Sequence, residues 1–245
     1  MARFVMIHGA WHGGWCFDPL RSRLEEAGHV LVAPDLPGMG GDEAALGRVT
    51  LDDWAQFTAD ACAAQQPGPV VLCGHSRGGL VISQAAEAAP EAIDALVYIC
   101  AMLLPSGMSR AAWKADRVPN PDFEAIVAET DGGAGTRVDP AGAAAVFAQR
   151  SPSALAAAAA ERLVAEPSRP RATPLRLTEG RYGSVPRHYI ECLDDRAIPL
   201  ADQRRMQAMQ PCASVTALYA DHSPFLSAPA ALADALLSIA AGVPA

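Results

Sequence analysis

Ser76 stands in Gly74-His75-Ser76-Arg77-Gly78, with Gly79 following, and the chemistry open to a serine in a Gly-x-Ser-x-Gly turn is nucleophilic attack on an acyl carbon. The run before it, from Pro69 to Cys73, reads as an apolar strand, and Leu80-Val81-Ile82 opens a helix. The pentapeptide thus has the surroundings of a nucleophile elbow, where a tight strand-to-helix turn projects the hydroxyl above the sheet. Side chains at 74 and 78 would collide with the neighbouring strand and helix, and the free N–H groups of the helix start favour negative charge beside Ser76. The bland alternative is a glycine-rich turn that caps a helix with serine. A dinucleotide-binding turn is disfavoured, because Gly-x-Gly-x-x-Gly would need glycine at 76.

A hydroxyl is a poor nucleophile until a base takes its proton, and the base needs an acid to orient it. His222 is the candidate base, in Tyr219-Ala220-Asp221-His222-Ser223-Pro224 after the last expected strand. In one chain order of such triads the acid lies between serine and histidine, at a strand end. Glu191-Cys192-Leu193-Asp194-Asp195-Arg196-Ala197-Ile198-Pro199 fits that place. Asp194 and Asp195 compete, since two adjacent side chains cannot both point at His222, and Asp195 is preferred because Asp-x-x-x-Pro is the usual spacing for the acid in the fold that such an elbow resembles. The other common acid position, after the strand ending near Ala101, is filled by Met102-Leu103-Leu104-Pro105.

The oxyanion needs two backbone N–H donors. Arg77, next to the nucleophile, and Ala10, in the loop after the first strand, are the expected pair. The side chain of Arg77 is expected to meet a surface carboxylate. His8 and His12 are expected to shape the oxyanion loop, with His12 and Gly9 the candidate substrate contacts. His75 reads as packing beside the elbow, and Asp221 as a turn former or a partner within the His222 loop.

Apolar strands are expected at Arg3 to Ile7, Val30 to Ala33, before Ser76, Ile93 to Ala101, Val185 to Cys192 and Val215 to Tyr219. They alternate with helices at Asp18 to Ala27, Leu51 to Gln65, from the elbow to Ala89, Leu200 to Met209 and Ala230 to Ile239. That rhythm predicts an α/β fold, a mostly parallel sheet covered on both faces with right-handed crossovers. From Leu104 to about Gly183 the rhythm breaks and no strand is evident. Helical pieces at Pro121 to Glu129, Pro140 to Arg150 and Ser153 to Ala165 predict an inserted helical cap, 104–183, within a core of 1–103 and 184–245. Trp113, Phe123, Ile126, Val127, Phe147, Leu155 and Leu163 are expected to pack together there, and Asp131-Gly132-Gly133-Ala134-Gly135 to form a mobile loop.

The chain has 245 residues, 51% hydrophobic and 19% charged, which suits one α/β domain with an insertion. A net charge of −8 without a basic stripe argues against a nucleic-acid partner. Phe4 to Ile7 is too short an apolar run for a signal segment or membrane span, so a cytoplasmic protein with no membrane partner is expected. The six cysteines show no C-x-x-C and the six histidines no H-E-x-x-H, so free thiols and no metal site are expected.

His8-Gly9-Ala10-Trp11-His12-Gly13-Gly14-Trp15, the elbow with Gly79, Tyr182-Gly183-Ser184-Val185-Pro186 and Asp221-His222 together resemble the α/β-hydrolase superfamily. More narrowly they resemble the branch holding plant methylesterases, hydroxynitrile lyases and bacterial esterase relatives. The resemblance spans nearly the whole chain, the cap least well. It implies Ser76, Asp195 and His222 as a triad, Ala10 and Arg77 as oxyanion donors, and no cofactor. The lyases of that branch carry threonine and lysine where this chain has Gly9 and Ser223, so hydrolysis of a small to medium hydrophobic ester, aromatic esters among the candidates, is expected over cyanide release. A carbamate or amide hydrolase on the same triad, a cofactor-free lyase and a non-catalytic binding module are the alternatives. The apolar cap could also bury surface in a homodimer.

Overall fold

The computed structural model describes residues 1–41, 43–116, 120–130 and 132–243. In chain order the strands are β1 (Arg3–Ile7), β2 (Val30–Val32), β3 (Val70–His75), β4 (Ala95–Ile99), β5 (Val127–Glu129), β6 (Gly135–Val138), β7 (Glu166–Pro167), β8 (Arg187–Cys192) and β9 (Ser214–Leu218). The first helices are α1 (Arg21–Glu26), α2 (Leu51–Ala63), α3 (Gly78–Ala88), α4 (Arg110–Ala115), α5 (Pro121–Ala125) and α6 (Pro140–Phe147). They are followed by α7 (Ser153–Ala160), α8 (Ser168–Ala172), α9 (Leu200–Met209), α10 (Pro224–Ser227) and α11 (Pro229–Ala241).

Six strands pair in the order β2-β1-β3-β4-β8-β9, each pairing parallel. Alternation along each strand sends successive residues to opposite faces. Phe4, Met6, Val71, Cys73, Val97 and Ile99 pack with α1 and α11, whereas Val5, Ile7, Val70, Leu72, Leu96 and Tyr98 pack with α2, α3 and α9. Both faces are thereby apolar, and this is why the strands read as unbroken hydrophobic runs. The six cysteines are free, five of them buried. Among the described residues no helix is long and apolar enough to cross a membrane.

The sheet order puts the site where it is. The chain runs from β1 out to the edge strand β2 and returns to the other side of β1 as β3, so the order reverses between β1 and β3. Loops leaving the carboxyl ends of two such strands diverge and leave a crevice. Ile7 lies beside Gly74 in the register, which brings the loop after β1 alongside Ser76. Cys192 lies beside Leu218 in the same way, so the loops after β8 and β9 emerge together.

The stretch 104–183 carries the expected helices and also a three-stranded antiparallel sheet, β5-β6-β7, where no strand is evident from sequence. The helix expected over Pro121 to Glu129 ends at Ala125, and its last three residues are β5. Gly132 and Gly133, at φ 82° and 70°, lie in the connection from β5 to β6 rather than in a detached loop; Asp131 of that run lies outside the described residues. Phe123, Ile126, Val127, Phe147 and Leu163 share one apolar cluster with Trp11. Trp113 instead joins the main core, and Leu155 is 50% exposed. Leu175 and Tyr182 also pack into the main core, and the backbone of Arg176 pairs with the Gln84 amide, so the end of this stretch lies along α3.

Candidate active site

Ser76 sits between β3 and α3 at φ 53°, a left-handed conformation that costs a non-glycine residue energy and is held by its neighbours. Its N–H donates to the Ile99 carbonyl at 3.2 Å, and its carbonyl accepts from Met102 at 2.9 Å and Gly79 at 3.1 Å. Such a turn leaves no room for a side chain at Gly74, where a Cβ would stand 2.7 Å from the carbonyl carbon of Gly78.

The structure brings Ser76, His222 and Asp195 into a line. Ser76 Oγ and His222 Nε2 are 2.9 Å apart, and His222 Nδ1 lies 2.7 Å from Asp195 Oδ2. The other oxygen of Asp195 accepts from the N–H groups of Ala197 at 2.7 Å and Ile198 at 2.8 Å, locking the carboxylate against rotation. Gln203, fully buried on α9, bonds Cys192 and Ile198 and so fixes the loop that carries Asp195. Asp194 points elsewhere, to Arg150 at 2.5 Å on the half-exposed surface.

His222 is held by its backbone as well. Its carbonyl accepts from His75 Nε2 at 2.7 Å and from the Cys100 thiol at 3.6 Å. His75 is thus more than packing, and burial, with His222 nearby, pushes its pKa well below the ordinary histidine value and keeps it neutral. His75, Cys100 and His222 are also the group of described residues whose potential metal-ligand atoms approach within 4.8 Å. His75 Nε2 and the Cys100 thiol donate to the His222 carbonyl, and the His222 ring nitrogens are engaged by Ser76 and Asp195, while His75 Nδ1 is buried without a hydrogen-bond partner among the described residues. Asp221 is fully buried and anchors the same loop. One of its oxygens accepts from Ser223 N and Ser227 Oγ, the other from Arg150 N and Ser151 Oγ.

The loop after β1 is pinned carbonyl by carbonyl. His8 Nε2 accepts from Leu36 N–H, so its Nδ1 carries the proton and donates to the Gly9 carbonyl at 2.9 Å. Arg77 Nη2 donates to that same carbonyl at 2.9 Å. His12 Nδ1 donates to the Ala10 carbonyl at 2.7 Å, and Val164 N–H to the Trp11 carbonyl at 2.9 Å. Desolvation lowers His8 to about 3 and His12 to about 4, so both stay neutral near pH 7.

Arg77 departs from its expected surface partner. Its side chain is buried, its Nε lies 3.1 Å from the equally buried Glu166 Oε2 on β7, and its guanidinium stacks 4.1 Å from the Trp54 ring. Burial lowers its pKa, and Glu166 opposes that effect. No local pattern ties residue 77 to one glutamate among the several in 104–183, so the pairing was invisible in the sequence.

Ala10, His12, Ser76, Arg77 and His222 all line a cavity with about 580 Å³ of empty space, mouth included. Trp11, Trp113, Phe123 and Phe147 supply aromatic wall, and Arg110, Lys114 and Arg171 add positive charge. Gly9, expected as a substrate contact, is not part of this wall among the described residues, because its carbonyl is turned to Arg77 and His8. Trp11, missed in the sequence as a site residue, has φ 60° and donates Nε1–H to Thr136 of the cap sheet.

A family model described as "Alpha/beta hydrolase family" matches residues 4–235. The chain is 34% identical over 244 residues to a pyrethroid hydrolase of Sphingobium wenxiniae, across 96% of this chain and 86% of that protein. It is 30% identical over 250 residues to methylesterase 7 of Arabidopsis thaliana, across 97% and 96%. The crystal structure of a pyrethroid hydrolase from Sphingobium faniae JZ-2 superposes with a TM-score of 0.85 at 30% identity, covering 98% of each chain. With its parallel sheet, its elbow and these matches across nearly its whole length, the chain belongs to the alpha/beta hydrolase family.

Proposed function

We propose that this protein is a serine esterase that cleaves small to medium hydrophobic esters, aromatic ones among them, through an acyl-enzyme. The observation that carries the reading is the hydrogen-bonded line from Ser76 through His222 to Asp195 at the wall of an aromatic-lined cavity. His222 takes the proton of Ser76 as its oxygen attacks the ester carbonyl, and Asp195 steadies the imidazolium. The oxyanion rests on the N–H groups of Ala10 and Arg77. Arg77 stands at the N-cap of α3, where helical N–H groups lack partners within the helix. His222 then protonates the departing alcohol, and afterwards activates the water that releases the acid. The esterase and hydrolase names of the relatives support the reaction class, and the aromatic lining of the cavity suits a hydrophobic ester.

The lyase alternative is disfavoured at the position where its relatives carry threonine. A Cβ on Gly9 would stand 2.8 Å from Ser76 Cβ and 2.9 Å from His75 Nδ1, so a larger residue there would displace the nucleophile.

The test is hydrolysis of p-nitrophenyl esters of graded acyl length and of aromatic methyl esters by wild type and Ser76→Ala. A loss of roughly 10⁴-fold or more in kcat for the variant is expected. Equal rates in the two proteins would overturn the mechanism.

A further inference from the structure

We propose that the buried Arg77–Glu166 pair is a positioning device for the oxyanion site, through which the cap sets the direction of the Ala10 N–H. The proposal rests on the esterase reading above. A trans peptide is planar, so its carbonyl and N–H point in opposite directions. The Gly9 carbonyl and the Ala10 N–H belong to one peptide unit. Whatever grips the carbonyl therefore aims the N–H, and the grip comes from Arg77 Nη2 and His8 Nδ1, each at 2.9 Å.

The guanidinium is in turn flanked on two other sides. Glu166 Oε2 meets Nε at 3.1 Å, and the Trp54 ring lies beneath the plane at 4.1 Å. An arginine so enclosed, 4% exposed as a residue, loses rotamer freedom before any substrate arrives. Glu166 belongs to β7, whose neighbour β6 holds Thr136, the acceptor of Trp11 Nε1–H. Val164, just before β7, donates to the Trp11 carbonyl. Three links thus run from the segment 136–166 to residues 9–11, and the ion pair is the one that acts on the peptide bearing the proposed donor. An oxyanion donor works because it is aimed before charge develops, so a device that only aims it belongs to the rate of the chemical step rather than to substrate binding.

The experiment uses the full-length protein in three forms: wild type, Glu166→Gln, and the double variant Arg77→Met with Glu166→Leu. Replacing a buried ion pair by apolar residues of similar volume is often neutral or stabilising, so the double variant keeps the fold while removing the grip. Glu166→Gln keeps the shape and removes the charge. For each protein kcat and KM on a p-nitrophenyl ester, the inhibition constant of a trifluoromethyl ketone and the melting temperature are measured. The ketone adds to Ser76 and places an oxyanion where the tetrahedral intermediate would. In every variant that melts cooperatively, kcat is expected to fall about 10- to 100-fold and ketone inhibition to weaken by a similar factor. KM should stay within roughly threefold, which a purely structural defect in the cap pocket would not produce. A double variant with kcat and ketone inhibition within about threefold of wild type overturns the proposal, as does a change confined to KM. Failure of the esterase reading looks different: Ser76 of the wild type would take no fluorophosphonate label, and Ser76→Ala would turn over like wild type.

Discussion

The hydrogen-bonded line through Ser76 and the loop of residues 8–12 lie side by side yet are held by different parts of the molecule. Ser76, Asp195 and His222 follow the carboxyl ends of β3, β8 and β9, and take most of their supports from the core, through Ile99, Met102, Gln203, His75 and Cys100, with Arg150 and Ser151 tied to the His222 loop only through Asp221. The loop after β1 begins in the same sheet but takes its outer supports from Thr136, Val164 and Glu166. The first arrangement rests mainly on the sheet. The second is only as well defined as the seating of the cap. On the proposed esterase reading, the groups that would move protons and the donors that would receive charge draw on largely different scaffolds.

The largest effect expected from breaking that comparison is acid unfolding. His8, His12 and His75 are buried and neutral, with pKa values lowered to about 3, to about 4 and well below the ordinary value. An unfolded chain binds a proton at each of these residues near pH 6.5, whereas the folded protein does not. Stability is therefore full above about pH 6.5 and falls as pH drops toward the folded values, by about 1.4 kcal/mol per pH unit for each histidine. Three such groups approach roughly 4 kcal/mol per unit, against a typical total of about 5–15 kcal/mol. Melting curves from pH 8 to pH 4 should show a steep fall below pH 6, and His12→Asn should reduce that slope by about a third. A flat profile would mean that neutral imidazoles do not hold this loop.

Next in size is the acid of the line. Asp195→Asn should lower kcat on p-nitrophenyl esters by about 10⁴-fold, because the amide cannot hold the required tautomer of His222. Asp194→Asn, whose side chain pairs with Arg150 at the surface, should stay within about threefold. The reverse ranking in steady-state rates would exchange the two residues' roles. The smallest effect sharpens the cap side. Thr136→Val removes the hydroxyl that Trp11 Nε1–H reaches at 3.2 Å but leaves the Thr136 carbonyl at 3.1 Å. A loss of about 1 kcal/mol, or roughly 2–4 °C in melting temperature, is expected, with kcat within about twofold. A larger fall in kcat would show that the side chain, not the backbone, anchors the loop.

The sequence was most legible where a requirement is local. Strands buried on both faces announce themselves as apolar runs, and the elbow as glycines around a serine, since the collision they avoid lies within a few residues. The choice of Asp195 over Asp194 rested on distance to Pro199, and the structure gives that spacing a cause: Asp195 Oδ1 caps the N–H groups of Ala197 and Ile198 just before the proline. The cap strands left no such mark. β7 is two residues long and β5 three, too short for alternation to show, and their pairing is set by tertiary contacts. Leu155 illustrates the same limit, since in Ser153–Ala160 alanine on every side hides which face is inward. Arg77 and Glu166 are the extreme case, each unremarkable alone.

That pair also bears on how caps can be exchanged among proteins of this fold. A guanidinium buried beside the nucleophile is tolerable only while a carboxylate arrives from the inserted segment. A cap grafted from a relative without an acid at that strand would strand the charge of Arg77, and a relative's elbow placed under this cap would strand Glu166. Residue 77 and the strand at 166 are therefore physically coupled in this chain, and recombination that seeks new specificity through a new cap has to carry both ends across together.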